Sequence, residues 1–193
     1  ADEINRASPK TQSALLEVME ESRVTIDGTP HEVGRPFLVI ATQNPIEQAG
    51  TYKLPEAQLD RFLIKTSIGY PDLDVETRIL AGSADRNPSA SLTAQITTGA
   101  VADMADLAAS VYVEPGVLRY VAELARATRE DAATRLGVSV RGSLAMVRIA
   151  KVRAASEGRH YIVPDDVKAL AGPAWTHRIV LDPEAEFSGL TPE

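Results

Sequence analysis

Apolar residues recur along this chain at two periods, and the switch between them divides it. Over residues 9–21, Leu15, Leu16, Val18 and Met19 gather on one side of a helical wheel and Glu17, Glu20 and Glu21 on the other, the pattern of an amphipathic helix. Ser8 and Pro9 mark its start, because a serine hydroxyl caps free amides and proline is tolerated at the first helical position. Residues 23–33 alternate instead, with Asp27-Gly28 at the centre. That pair accepts the left-handed backbone of a tight turn and predicts a β-hairpin near 23–34. Residues 37–42 and 62–68 are unbroken β-prone runs, which suit parallel strands buried on both faces. Between them, 47–53 read as a loop and 55–61 as a short helix.

Past Tyr70-Pro71 only helical periods remain. They predict helices over 72–81, 100–110, 115–129, 139–157 and 164–176, with the Ser/Thr/Gly/Pro-rich stretch 83–99 as a linker. Pro164 followed by Asp165 and Asp166 fits a helix start, where the dipole favours acidic residues. The fold class predicted is α/β followed by all-α. Residues 1–82 form part of an α/β core, and 100–193 form a module of four or five helices. Two β-runs are too few for a complete doubly wound sheet, so an exposed apolar edge is expected. The chain opens on Ala1-Asp2-Glu3 without an initiator methionine and reads as a fragment.

Composition narrows the field. With 193 residues and 44% hydrophobic content the chain can bury a core. Its 20 basic and 27 acidic residues give a net charge of −7, which offers no general attraction to nucleic acid or anionic membrane. Residues 119–159 nevertheless carry nine basic residues against four acidic ones. Cysteine is absent, which excludes disulfides and thiolate sites, and the three histidines lack metal-ligand spacing. No apolar run is long enough to span a bilayer and no signal-peptide core is visible. A cytoplasmic location is expected.

Four local features could carry chemistry. In nucleotide hydrolases an Asp at a strand end holds magnesium and a neighbouring carboxylate orients water, which Asp2 and Glu3 could do. Alone the pair reads as surface decoration, since Glu20-Glu21 and Asp165-Asp166 are also acidic pairs. Asn44 lies just past a predicted strand, where open α/β sheets place ligands. Its amide can hold a water or a phosphate oxygen, or simply make an Asn-Pro turn. Arg61 reads either as a charged finger for phosphate or as the partner of Asp60 or Glu56. Arg141 falls in the first turn of a helix, where the dipole opposes a cation unless an anion also binds. Arg148 shares its face, with Lys151 beside it, and a solvated stripe is the alternative.

The order of these features is more specific than any one of them. Asp2-Glu-Ile-Asn-Arg-Ala7, Lys10-Thr-Gln-Ser-Ala-Leu-Leu-Glu17, Val24-Thr-Ile-Asp-Gly28, Ala41-Thr-Gln-Asn-Pro-Ile-Glu-Gln48, Leu54-Pro-Glu-Ala-Gln-Leu-Asp-Arg-Phe62 and Ile68-Gly-Tyr-Pro71 stand in sequence. Leu136-Gly-Val-Ser-Val-Arg141, Gly158-Arg-His-Tyr-Ile-Val-Pro-Asp-Asp-Val167 and His177-Arg178 follow. Together they resemble the MoxR family of AAA+ ATPases over nearly the whole chain. The resemblance implies a partial core of P-loop NTPase type with an incomplete parallel sheet, then a helical-bundle lid. It implies ATP and Mg2+ as cofactors, with Asp2 on the metal, Glu3 activating water and Asn44 as sensor 1. Arg61 would be the arginine finger reaching a neighbouring subunit's nucleotide, and Arg141 the sensor 2 arginine of the lid. The hairpin resembles one that often faces the central pore.

Three departures stand out. No G-x-x-x-x-G-K-[S/T] occurs in these 193 residues, so the phosphate-holding loop and its lysine are not supplied here. Val140 and Gly142 flank Arg141 where the family more often has Pro and Ala, and Lys53 replaces an apolar or small residue.

By resemblance, the complete protein is expected to hydrolyse ATP at subunit interfaces of a ring, six subunits being the expected number. The output would be client remodelling or metal-cofactor insertion, with a protein bearing a von Willebrand factor A domain as a partner. The chain by itself is expected to be inactive. Two other classes stay open: a non-catalytic protein-interaction module, favoured if the phosphate loop is missing altogether, and a DNA-linked AAA+ protein using residues 119–159. Net charge and the lack of a DNA-reading motif speak against the second.

Overall fold

The computed structural model describes residues 1–44, 52, 54–82 and 92–192. The expected loop 47–53, except Tyr52, and residues 83–91 of the expected linker lie outside them, as does Lys53.

After a 3-10 turn at Ile4–Arg6 comes α1, Pro9–Glu21, with the Ser8 hydroxyl accepting from the Thr11 amide. Ser22, left-handed at φ 53°, ends it and passes the chain into β1, Arg23–Ile26, and β2, Thr29–Glu32. These pair antiparallel around Asp27 and Gly28, both at positive φ (49° and 79°), as a two-residue hairpin turn of this hand requires. Every hairpin residue is exposed. A short α2, Glu56–Leu59, and α3, Leu73–Ala81, complete this half, the latter capped by the Asp72 carboxylate.

The strands expected at 37–42 and 62–68 are not formed as regular strands. Residues 1–4 run beside 40–42 through three bonds, Ala1 to Ile40 O, Thr42 N to Ala1 O and Ile4 N to Thr42 O. No ladder continues on the other edge among the described residues. Parallel strands need neighbours on both edges and cover on both faces. Without them, Leu38 is 78% and Ile68 102% exposed, the apolar edge the sequence predicts.

The second half packs as helices: α4 (Thr98–Ala109), α5 (Pro115–Glu130), α6 (Val140–Ser156), α7 (Pro164–Trp175) and α8 (Pro183–Phe187). Their core lies on α6. Met146 and Ile149 pack with Val121 of α5 and Trp175 of α7, while Ala150 and Ala154 pack with Val111 and Ile162. A small antiparallel pair, β3 (Thr134–Leu136) with β4 (Val180–Leu181), ties the chain end beside α5. Elements of three and two residues carry no readable period, so neither strand is legible in the sequence. Before α6 the chain crosses the end of α5 at Gly137, where a Cβ would sit 2.6 Å from the Thr128 carbonyl oxygen.

One carboxylate organises the far side of the bundle. Asp166, 2% exposed, accepts hydrogen bonds from Arg159 Nη2 and Nη1 at 2.6 and 2.8 Å and from the Val163 amide at 2.9 Å. Burial pushes its pKa up, but the Arg159 and Val163 hydrogen bonds and the charges of Arg159 and Arg153 outweigh it, leaving the carboxyl below its ordinary value.

Candidate functional site

The last turn of α1, the end of α2 and the first turns of α6 enclose a cleft of about 390 Å³. Arg61, Arg141, Arg148 and Arg178 line it, against the carboxylates of Glu20 and Asp60. Four guanidiniums facing two carboxylates leave an excess of positive charge suited to a polyanion.

Glu20 spends both its oxygens here, one on Arg61 and the other on Arg141. The partner expected for Arg61, Asp60 or Glu56, is therefore corrected: Asp60 pairs with Arg178 and Glu56 lies 3.7 Å from Arg135. Arg141 stands in the first turn of α6, and the negative charge its position calls for is the Glu20 carboxylate. These ion pairs are partly open to water, with side-chain exposures of 29% for Arg61 and 45% for Arg141.

Behind them lies a drier network. Arg178, 4% exposed, donates from Nε to Asp60 Oδ1 at 2.8 Å and from Nη2 to the Asp60 and Phe62 carbonyls at 3.0 and 2.6 Å. Burial pulls its pKa down, and the Asp60 carboxylate opposes that pull. Asp60 Oδ2 accepts from the Ser139 hydroxyl at 2.8 Å, and Ser139 caps α6 by accepting from the Gly142 amide. Gly142 leaves the space Arg178 uses, since a Cβ there would meet Arg178 Cδ at 2.8 Å. The departure from alanine beside Arg141 thus has a packing counterpart. His177 Nε2 lies 3.1 Å from the Phe62 carbonyl and 2.8 Å from Arg178 Nη1. Burial lowers its pKa first, and the cations Arg178 and Lys65 lower it further, against the Phe62 carbonyl and Asp60.

Asp2, Glu3 and Asn44 gather elsewhere. Asp2 Oδ1 accepts from the Thr42 hydroxyl at 2.6 Å, and the Glu3 amide donates to that same hydroxyl oxygen at 2.8 Å. The Asn5 side chain donates to the Asn44 carbonyl at 3.3 Å. Glu3 holds left-handed backbone, φ 46°, unusual for a residue with a Cβ, and pairs with Arg6 at 2.9 Å. Gln12, in α1, donates to the Ile4 carbonyl. From Gln12 to Glu20 the helix rises about 12 Å. The acid and amide group and the arginine cleft thus sit at different stations along α1. Among the described residues no three His, Cys, Asp or Glu side chains cluster as a metal cage. A lone exposed carboxylate such as Asp2 fits magnesium, which takes one or two carboxylates and fills its shell with phosphate and water.

Sequence reasoning missed Glu20, Asp60 and Arg178. Glu20 looked like the wet face of a helix, and Arg178 only like part of a motif. The available signal was the unbalanced Arg141 at a helix N-terminus.

Residues 1–64 match the family described as ATPase family associated with various cellular activities (AAA), and residues 126–193 match the AAA lid domain. Over its whole length the chain is 44% identical to the uncharacterised protein YeaC of Bacillus subtilis, covering 60% of it, and 40% identical to the chaperone MoxR1 of Mycobacterium tuberculosis, covering 53%. Protein MoxR of Paracoccus denitrificans is 33% identical over 96% of the chain and 60% of that protein. A crystal structure of a candidate ATPase from Cytophaga hutchinsonii superposes with a TM-score of 0.90 at 37% identity, over 99% of this chain and 61% of that one. The chain therefore spans 53 to 60% of the length of these curated relatives.

Proposed function

The chain belongs to the AAA+ ATPases of MoxR type, and on that premise we propose that the complete protein hydrolyses ATP between subunits of a ring. The observation that carries this reading is the separation just described. Asp2 and Glu3 meet at Thr42 next to Ile4, whose carbonyl Gln12 holds, and Asn44 follows two residues on, whereas Arg61 and Arg141 meet on Glu20, about 12 Å of helix rise farther along α1. One copy is poorly arranged to close both groups on one phosphate. Two adjacent copies can do so, one offering its acid and amide group and the next its cleft.

Bound ATP with magnesium supplies the phosphoryl group and the charge to be neutralised. Asp2 would hold the magnesium, Glu3 takes a proton from the water that attacks the γ-phosphorus as its bond to the departing ADP oxygen breaks, and Asn44 orients that water. Arg61 of the neighbouring subunit neutralises charge developing on the phosphoryl oxygens, and Arg141 works beside it. Residues 1–82 serve as part of the core and 100–193 as the lid, joined by 83–99. The output in this reading is remodelling of a client or insertion of its metal cofactor, in the cytoplasm, with a von Willebrand factor A domain protein as the partner class that the family resemblance offers. Residues 1–193 alone, lacking a phosphate-binding loop motif, bind nucleotide feebly and do not turn it over.

The test is magnesium-dependent ATP turnover of the protein with its native upstream region, beside Glu3→Gln and Arg61→Ala. Each variant loses about 10³-fold or more, and mixing the two restores turnover because intact interfaces re-form. Failure of the mixture to recover, with both variants assembled, rules out action between subunits. An assembled parent with no turnover points to a non-catalytic binding module.

A further inference from the structure

Arg61 follows directly on Asp60, and Asp60 ties the two halves of the chain together. Its carboxylate receives Arg178 Nε on one oxygen at 2.8 Å and the Ser139 hydroxyl on the other at 2.8 Å. The same guanidinium takes the carbonyls of Asp60, Phe62 and Leu63 at 3.0, 2.6 and 3.3 Å. A planar fork that satisfies carbonyls on both sides of Arg61 fixes the path of the backbone as well as a side chain. The segment carrying Arg61 is therefore held from both sides of that residue by a group belonging to the lid. Ser139 at the same time caps the helix that bears Arg141. Arg61 and Arg141 thus both refer their positions to one carboxylate.

The anchor and the working groups differ in their surroundings. Arg178 and Asp60 are 2% and 18% exposed at the side chain, whereas Arg61 and Arg141 open toward the cleft at 29% and 45%. A dry anchor beneath a wet working group is the arrangement that preorganises a cation while leaving it free to meet a ligand.

We infer that Asp60 is a positioning residue for Arg61: through Arg178 and Ser139 the docked lid sets where the Arg61 guanidinium is presented. This rests on the reading of Arg61 as an interfacial finger. Asp60 touches no reacting atom. Lid movement that withdraws Arg178 or Ser139 releases the 60–63 segment and the start of α6 together, which makes catalysis at one interface depend on the lid of the subunit supplying the arginine.

The test is steady-state ATP turnover of the protein with its native flanking sequence, in the wild type, Asp60→Asn, Asp60→Ala, Arg61→Ala and the double variant Asp60→Ala with Arg61→Ala. Circular dichroism and sedimentation check fold and assembly of each. Asp60→Ala strands the buried Arg178 guanidinium, so the isosteric Asp60→Asn carries the test if the alanine variant does not fold. Expected are a kcat lower by about a hundredfold in Asp60→Ala and about tenfold in Asp60→Asn, with KM for ATP changed by less than about threefold. The double variant is no slower than Arg61→Ala, because both changes disable one unit. Wild-type kcat in either Asp60 variant once assembled, or losses that multiply in the double variant, overturns the inference. A wild type without turnover sinks the hydrolysis reading instead, and amide hydrogen exchange then decides on Asp60. Faster exchange at both 61–63 and 141–143 in Asp60→Asn supports positioning, and unchanged exchange overturns it.

Discussion

Glu20 and Arg141, 121 residues apart, meet in an ion pair that joins the last turn of α1 to the first turn of α6. The other oxygen of the same carboxylate takes Arg61, so one acidic side chain occupies the two cations that the proposed function assigns to phosphate. A phosphate entering this cleft competes with Glu20. Partly exposed pairs of this kind are worth about 0.2–1 kcal/mol each, and 1.4 kcal/mol is about a tenfold change in affinity. Glu20→Gln, which removes both pairs, is expected to raise tripolyphosphate affinity by about three- to tenfold while lowering stability by about 0.4–2 kcal/mol. Isothermal titration at fixed ionic strength reads the first quantity and urea unfolding the second; unchanged affinity would mean that the arginines are not held back by Glu20.

Arg178 is expected to tolerate no conservative replacement. A lysine keeps the charge but cannot serve Asp60 Oδ1 and the Asp60, Phe62 and Leu63 carbonyls from one planar fork. Arg178→Lys should destabilise by about 2 kcal/mol, a drop of about 4–8 °C in Tm for a chain of this size. Calorimetry checks this, and a Tm within about 1 °C of the wild type contradicts it.

At Gly137 the obstacle is backbone, not a yielding side chain. A Cβ would stand 2.6 Å from the Thr128 carbonyl oxygen and 2.7 Å from the Arg129 nitrogen, contacts that force β3 and the start of α6 away from α5. Gly137→Ala is expected to lose about 3 kcal/mol, whereas Gly116→Ala, with open space around it, loses little. Chemical denaturation of the two variants side by side makes the comparison.

Stability should fall on acidification in two stages. His177 has a folded pKa below its ordinary 6.5, so the unfolded chain binds its proton first. Its contribution is complete above about pH 6.5 and is lost as pH falls through the lower folded value. Asp166, held below 3.8, contributes in the same sense at lower pH, fully above 3.8 and lost as pH falls through its folded pKa. Unfolding midpoints measured from pH 8 to 2 should show both stages. His177→Gln should remove the upper one, and Asp166→Asn the lower one together with about 2 kcal/mol at neutral pH. A midpoint flat between pH 7 and 5 in the wild type would contradict the first assignment.

What the sequence determined by itself was local. Ser8 and Asp72 cap helices because their oxygens lie within reach of amides three residues on, and Asp27-Gly28 turns a hairpin because both residues accept positive φ. Helix α6 follows from its apolar positions and from Ser139 at its head. Asp2, Glu3, Asn44, Arg61 and Arg141 could be singled out because motif order is itself written along the chain. The partners of those residues were decided only in three dimensions. Glu20 was indistinguishable from Glu21 on a helix surface until the second half packed against α1, and Asp60 was a neighbour of Arg61 until Arg178 arrived from 118 residues away. The runs 37–42 and 62–68 show the same limit from the other side. Their composition suits buried strands, but burial belongs to the neighbours that flank a strand, and no local pattern can supply those.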